Sequence, residues 1–300
     1  MEPPTLPTDA DVAALHAACL DWYGQNARDL PWRRTYATPW HVMVSEFMLQ
    51  QTPVVRVLPM YEAWVERWPR PADLAAEPVG EAIRAWGRLG YPRRAMRLHE
   101  CARAIVERHG GEVPEDRDQL RALPGVGEYT SAAIAAFAYG RRHAVLDTNV
   151  RRVLSRAITG NEHPPRTLTR PERVLAERLL PASPPVAARW SVAVMELGAL
   201  RCSATAPDCD RCPLRTHCAW RRTGYPAHDG PPRRAQAYAG TDRQCRGRLL
   251  GVLRDSDGPV AGSELRRAWD DHAQRERALD SLVADGLVEP LDGDGFRLPR

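Results

Sequence analysis

Leu123-Pro124-Gly125-Val126-Gly127 lies between two stretches of helical periodicity, the second running over 128–139, and reads as a glycine-bearing turn joining two helices. Glycines let the backbone come close to a partner, and the N–H groups that open a helix at Glu128 form an anion site. The stretch reads as a helix-hairpin-helix phosphate clamp, with a tight interhelical connection as the plain alternative. Outward from it, apolar positions at three and four spacing predict helices over 9–23, 41–52, 56–67, 79–87, 92–109, 148–158, 170–180 and 186–198. Proline or glycine separates them and no strand-rich stretch intervenes, so the core is all-α. Residues 221–240 are rich in proline and glycine, lack apolar periodicity and read as a linker. Beyond it, helices near 242–254, 262–269 and 274–285 and a hairpin turning at 292–295 outline a winged-helix-like α+β unit, a module used for DNA binding and for interaction alike.

The 300 residues are 43% hydrophobic and 27% charged, with 42 basic against 38 acidic side chains and a net charge of +4. This excludes collagen-like and disordered classes and suits a soluble globule of about two domains. All 42 basic residues are arginine. Coding bias accounts for such a composition, yet the chemical consequence stands: no lysine is available to form an imine with a sugar aldehyde. Neither a secretory signal nor a membrane-spanning apolar run is present in the sequence, which gives a cytoplasmic expectation.

Four of the seven cysteines, Cys202, Cys209, Cys212 and Cys218, fall within seventeen residues as C-x6-C-x2-C-x5-C. Four thiolates suit zinc or a [4Fe-4S] cluster equally on softness and spacing, and a full ligand set makes the site structural. Arg201, Arg211 and Arg215 interleave with these ligands and could track phosphates. Glu46 lies on an otherwise largely apolar helix segment, where burial would raise its pKa toward that of a general acid; a surface glutamate is the alternative. Asp147 immediately precedes the helix from Val150 and reads as an N-cap, whose hydrogen bonds favour an ionised carboxylate. One carboxyl held protonated and one ionised is an arrangement that cleaves glycosidic bonds.

Together and in this order, several segments resemble the adenine DNA glycosylase (MutY) branch of the helix-hairpin-helix base-excision glycosylases. They are Leu30-Pro31-Trp32-Arg33, Ser45-Glu46-Phe47-Met48-Leu49-Gln50-Gln51-Thr52, Leu89-Gly90-Tyr91, the Leu123–Gly127 turn, Leu146-Asp147-Thr148-Asn149-Val150, Met195-Glu196-Leu197-Gly198-Ala199 and the four cysteines. The resemblance spans Trp22 to Cys218 and shifts the cysteine ligation from even odds to [4Fe-4S]. It implies a six-helix barrel packed on a helical cluster domain, with double-stranded DNA bound across the junction and the target base flipped out.

The domain expectation is an N-terminal helix over 1–28 packing on the cluster domain, the barrel with its hairpin over 29–142, the cluster domain over 143–220, the linker over 221–240 and the winged-helix-like unit over 241–300. The resemblance implies that Glu46 protonates adenine, that Asp147 stabilises an oxocarbenium-like sugar before water attacks, that Tyr129 sits beside that sugar and that Asn149 orients the acid. Arg28, Trp32 and Arg33 would contact the adenine pocket or strand, and Glu196 would belong to the same pocket. Gln51 would wedge into the duplex beside Gln50, Thr52 and Tyr91, and Gly125, Val126 and Gly127 would clamp phosphate.

Relatives resembling endonuclease III, which also cut the strand, carry lysine where this chain has Tyr129, so a monofunctional enzyme acting as a monomer on A:8-oxoguanine or A:G mispairs is expected. The alternatives are a thymine or uracil mismatch glycosylase, disfavoured by Met48-Leu49-Gln50-Gln51-Thr52, and a non-catalytic iron-sulfur DNA-binding regulator. Two departures from the family stand out. Pro92 follows Tyr91 where a second tyrosine is more usual, and 60 residues after the linker cannot hold the nucleotide-hydrolase-like domain that reads 8-oxoguanine in many members. Either the C-terminal unit substitutes as the reader, or discrimination between A:8-oxoguanine and A:G is weaker; Arg243, Arg246, Arg248 and Arg254 on its first helix touch phosphates or form a solvated face, and the unit is also a candidate contact site for other repair proteins.

Overall fold

The computed structural model describes residues 7–228, 230 and 238–300; Asp229 and 231–237 of the expected linker lie outside the described residues. It is mostly helical, with one small sheet, and falls into two compact units. The first takes in the chain up to Pro39, Glu115–Asp118 and the stretch from Gly127 into the linker. It contains α1 (Asp9–Asn26), a 3-10 turn (Pro31–Arg33), α8 (Glu128–Tyr139), α9 (Thr148–Leu154), α10 (Arg170–Leu179), α11 (Pro184–Leu200) and α12 (Ala219–Arg222).

Side-chain caps set where these helices begin. Thr8 and Asp11 close a capping box at α1, Thr169 and Glu172 another at α10, and Asp147 caps α9. Leu15 and Cys19 of α1, Val150, Val153 and Leu154 of α9, Leu175 and Leu179 of α10, and Trp190, Val194 and Leu197 of α11 form one buried core. That core fixes the N-terminus of α9, where Asp147 sits. After α9 the chain makes a π-helical turn (Ser155–Thr159) that ends on Gly160 at φ +73°. The sequence predicts one helix over 148–158 here; the widened turn replaces its last part.

The second unit comprises Trp40–Pro114, Gln119–Val126 and the C-terminal part through Arg300. Its helices are α2 (Pro39–Leu49), α3 (Val54–Arg67), α4 (Pro71–Ala75), α5 (Val79–Ala85), α6 (Arg93–His109), α13 (Asp242–Arg254), α14 (Gly262–Ala268) and α15 (His272–Ala284); α7 (Arg117–Arg121) spans the boundary between the units. Trp64 lies edge-on to Trp68 and to Trp86, at 4.6 and 5.6 Å between ring centres, and all three are fully buried. Trp40 donates to the Trp68 carbonyl at 3.0 Å, tying α2 to that tryptophan cluster. Strands β1 (Val260–Ala261), β2 (Glu289–Leu291) and β3 (Gly295–Arg297) pair antiparallel in the order β1-β3-β2. Three helices with this sheet make the C-terminal part winged-helix-like, with one strand more than the hairpin read from sequence. Among the described residues no helix is long and apolar enough to cross a membrane.

Candidate active site

Asp147 is half-buried, with its backbone extended before α9. One carboxylate oxygen accepts the Val150 amide at 2.6 Å and the other accepts the Asn149 side-chain amide at 2.8 Å. Burial pushes this carboxyl above its ordinary value, against the pull of those two donors and of the Arg152 charge. The sequence leads one to expect an ionisation-favouring cap; the donors are present, and desolvation outweighs them. Asn149 is itself held, because its side-chain oxygen accepts from Arg152 at 2.7 Å, and Arg152 continues to the carbonyls of Cys202 and Gly198, each at 2.7 Å. A hydrogen-bond chain thus runs from the Asp147 carboxylate to the backbone of Cys202, the first of the four clustered cysteines. It needs Gly198, since a Cβ there would lie 2.7 Å from the Asn149 Cβ.

Removing the Asn149 donor has a signed consequence. Asn149→Ala should raise the Asp147 pKa further and move the acid limb of the activity profile to higher pH, read as single-turnover rate against pH. A carboxyl raised on folding gives stability that is fully present below its unfolded value of 3.8 and fades as pH rises through the folded one. Unfolding by urea should therefore show the variant losing relative stability upward in pH, opposite to the activity.

Arg28, Arg33 and Glu196 come together in the first unit. Arg28 donates Nε and Nη2 to the two Glu196 oxygens at 2.8 Å each and its backbone N–H at 3.0 Å; Arg33 adds Nη2 at 2.9 Å. Glu196 is fully buried, which alone would raise its pKa, yet the Arg28 and Arg33 hydrogen bonds and the Arg33 charge hold it at about 2. Both guanidinium groups are committed to this ion cluster, while Trp32 between them is buried in the 3-10 turn. Glu196→Gln should cost about 3 kcal/mol of unfolding free energy, at the low end for a buried pair because Arg28 keeps 34% of its side chain in water. The Glu196 contribution is present above pH 4.5 and should be lost as pH falls toward about 2, which a pH series of urea midpoints reads directly.

Tyr129, half-buried in the first turn of α8, packs on the cluster of Ala132, Ala133, Ala136, Val145 and Ala188. Gly127 is the N-cap of α8, with no side-chain cap and open space where a Cβ would be, so a partner can approach the helix start. Gly125 has φ +77°, and a Cβ there would sit 2.8 Å from the Phe47 ring, so only glycine fits. Val126 is buried.

In the second unit Glu46 is 6% exposed on α2, flanked by buried Val42, Met43, Phe47 and Met48. The sequence predicts this helix through residue 52, but it stops at Leu49 and Gln51 turns out at φ +56°. Gln51 is exposed, Gln50 half-buried and Thr52 buried. Tyr91, half exposed, also has positive φ, +48°. Two non-glycine residues in the left-handed region cost about 1–2 kcal/mol each, so something must hold them.

Arg94 does so. Its Nη1 donates to the carbonyls of Phe47, Met48 and Gln50 at 2.8, 3.0 and 2.5 Å, and Nη2 to Thr52 Oγ1 at 2.9 Å and the Gly90 carbonyl at 3.2 Å. The guanidinium caps the C-terminus of α2, where helix carbonyls lack partners, and ties the Gln51 turn to the Tyr91 turn. Burial lowers its pKa to about 10, leaving it charged at neutral pH. Sequence reading missed Arg94 and Arg152. The available signal for Arg94 was a pair of arginines in the first turn of α6, where the helix dipole favours carboxylates.

Cys202, Cys209, Cys212 and Cys218 all line one cavity in the first unit, together with Arg156, Arg201, Arg215 and Arg221. Arg156 is buried, lies 4.6 Å from the Trp220 ring and donates to Cys202 Sγ at 3.4 Å. Among the described residues no group of three or more His, Cys, Asp or Glu side chains is placed to hold a single metal ion. Four thiols around a cavity suit a multi-atom cluster better than one ion, and the arginines offset the charge of thiolates. Burial pushes the Cys212 thiol up to about 12 and raises Cys209 and Cys218, so ligation must draw off their protons.

Residues 44–176 match the model of the HhH-GPD superfamily of base excision DNA repair proteins. The adenine DNA glycosylase of Mycobacterium tuberculosis is 53% identical over 281 residues, 93% of this chain and 92% of that protein. A thymine-DNA glycosylase of Aeropyrum pernix is 34% identical over 214 residues, 70% of this chain and 95% of that one. The solved structure of a thermostable thymine-DNA glycosylase superposes with a TM-score of 0.64 at 26% identity, covering 72% of this chain and 98% of that one. Identity and the share of this chain that is matched both favour the first relative over the second, and the chain belongs to the adenine DNA glycosylase family of helix-hairpin-helix base-excision repair proteins.

Proposed function

We propose that this protein is a monofunctional DNA glycosylase that excises adenine mispaired with 8-oxoguanine or guanine, acting on double-stranded DNA in the cytoplasm. The observation that carries the reading is the Asp147 carboxylate, fixed by two donors at the start of α9 in a chain of this family without a single lysine. In the reaction the N-glycosidic bond breaks as Glu46 gives its proton to the departing adenine. Asp147 stabilises the positive charge left on the sugar, held by the Asn149 side-chain amide, which reaches Asp147 where the resemblance implies that it orients the acid, and Tyr129 lies beside the ring. Water then adds at the sugar carbon, its proton passes to carboxylate, and an abasic site remains with both strands intact.

Gln50, Gln51, Thr52 and Tyr91 take the mispair side, supported by the exposure of Gln51 and Tyr91. Gly125, Val126 and Gly127 receive a phosphate, supported by the open start of α8. Arg28, Trp32 and Arg33 shape the adenine pocket, with Glu196 as the buried anion that fixes both arginines. The four cysteines hold a [4Fe-4S] cluster, which supplies a structural pin for the loop from Cys202 to Cys218.

Free base identified after incubation with A:8-oxoguanine, A:G, T:G and U:G duplexes tests the reading. Adenine from the first two is expected; thymine or uracil from the others, without adenine, would transfer the protein to the mismatch branch.

A further inference from the structure

The C-terminal part is built to grip the barrel helices of its own unit. The Gly80 amide, in the first turn of α5, donates to the Pro299 carbonyl at 2.8 Å, and a Cβ on Gly80 would lie 2.4 Å from that oxygen. At the other end of α5, Arg84 donates to the Ser256 carbonyl at 2.6 Å and to that of Arg254, while Arg254 Nε donates back to the Ile83 carbonyl at 3.0 Å. At the start of α6, Arg93 pairs with Asp285 at 3.3 Å, and Asp285 is held from within the module by Arg246 at 2.6 Å. Three separate points thus fix the α5–α6 corner. Its last point is one residue from Arg94, which holds the Gln51 and Tyr91 turns.

The same module is poorly equipped to read DNA. It carries ten arginines against twelve carboxylates. On α15, the helix that would enter a groove, the exposed charges are Glu276, Arg277 and Asp280, and the turn between β2 and β3 adds Asp292 and Asp294. Two of the first-helix arginines are spent, Arg246 on Asp285 and Arg254 on Ile83. A duplex binder needs uncommitted cations on that face.

We propose that residues 241–300 act as a brace: docked on α5 and α6, they fix the Arg93–Arg94 corner and thereby the two turns that discriminate the base opposite adenine, without reading that base themselves. This rests on the assignment of Gln51 and Tyr91 to the mispair given above. Asp285 is a positioning residue, acting through Arg93.

The test uses the full chain with Gly80→Ala, Asp285→Asn and Arg277→Ala. Alanine is the better helix former, so Gly80→Ala would be harmless to an undocked α5. Hydrogen exchange over 79–96 and 256–299 is read beside the ratio of single-turnover adenine release from A:8-oxoguanine to that from A:G. The brace predicts that Gly80→Ala and Asp285→Asn speed exchange in both segments and lower the ratio by about fivefold. Arg277→Ala should leave duplex affinity and its salt dependence unchanged. Unchanged exchange and ratio in the first two variants would overturn the brace, and so would weakened duplex binding by Arg277→Ala with a shallower salt slope. If the unaltered protein releases no adenine from any duplex, the proposed function fails, while the exchange coupling still decides whether the module is a brace.

Discussion

Glu46→Gln is expected to lower single-turnover adenine release by about 10²- to 10⁴-fold, the usual contribution of a positioned general acid. Duplex binding should change little. Glutamine matches glutamate in shape, so the packing of α2 around Val42, Met43 and Phe47 survives, and what disappears is the transferable proton. Release rate and affinity, measured on the same duplex, separate the two effects. A loss of binding as severe as the loss of release would show that Glu46 shapes the site and does not act in the chemistry.

The second large effect is expected at Arg94. Arg94→Ala leaves the carbonyls of Phe47, Met48 and Gln50 without their shared donor and leaves the Gly90 carbonyl to the Trp86 indole N–H. A buried acceptor left unsatisfied costs about 1–3 kcal/mol, so the urea midpoint should fall clearly. Arg94→Lys is the informative companion, because an ammonium keeps the charge but cannot span both the α2 end and the Gly90 turn as a planar fork does. Lysine should recover part of the stability while opposite-base preference stays reduced. Full recovery of both would mean that charge alone, and not the geometry of the two turns, is what Arg94 provides.

The long helices were legible from apolar spacing: the reading of 128–139 coincides with α8, and that of 170–180 with α10 within one residue. Helices α4, α7 and α12, of four or five residues, were not, because one turn carries no measurable period. The end of α2 was misplaced by three residues for a tertiary reason, since the chain leaves the helix at Gln50 to meet a guanidinium 44 residues away. Asp147 as a helix cap was visible in the sequence, whereas the balance of its ionisation was not, because desolvation depends on packing that no local pattern encodes. The commitment of Arg28 and Arg33 to Glu196 was hidden likewise, joining residues 163 and 168 apart.

The central claim is base removal by hydrolysis in a chain that has no lysine to attack the sugar. One reaction tests it most directly: the protein in excess over a duplex carrying A:8-oxoguanine, with free adenine and strand breakage followed together, before and after heat and alkali. The account predicts complete adenine release with the strand intact until alkali is added, and no complex trapped by borohydride. Strand breakage keeping pace with base release without alkali, accompanied by a trapped covalent complex, would contradict it.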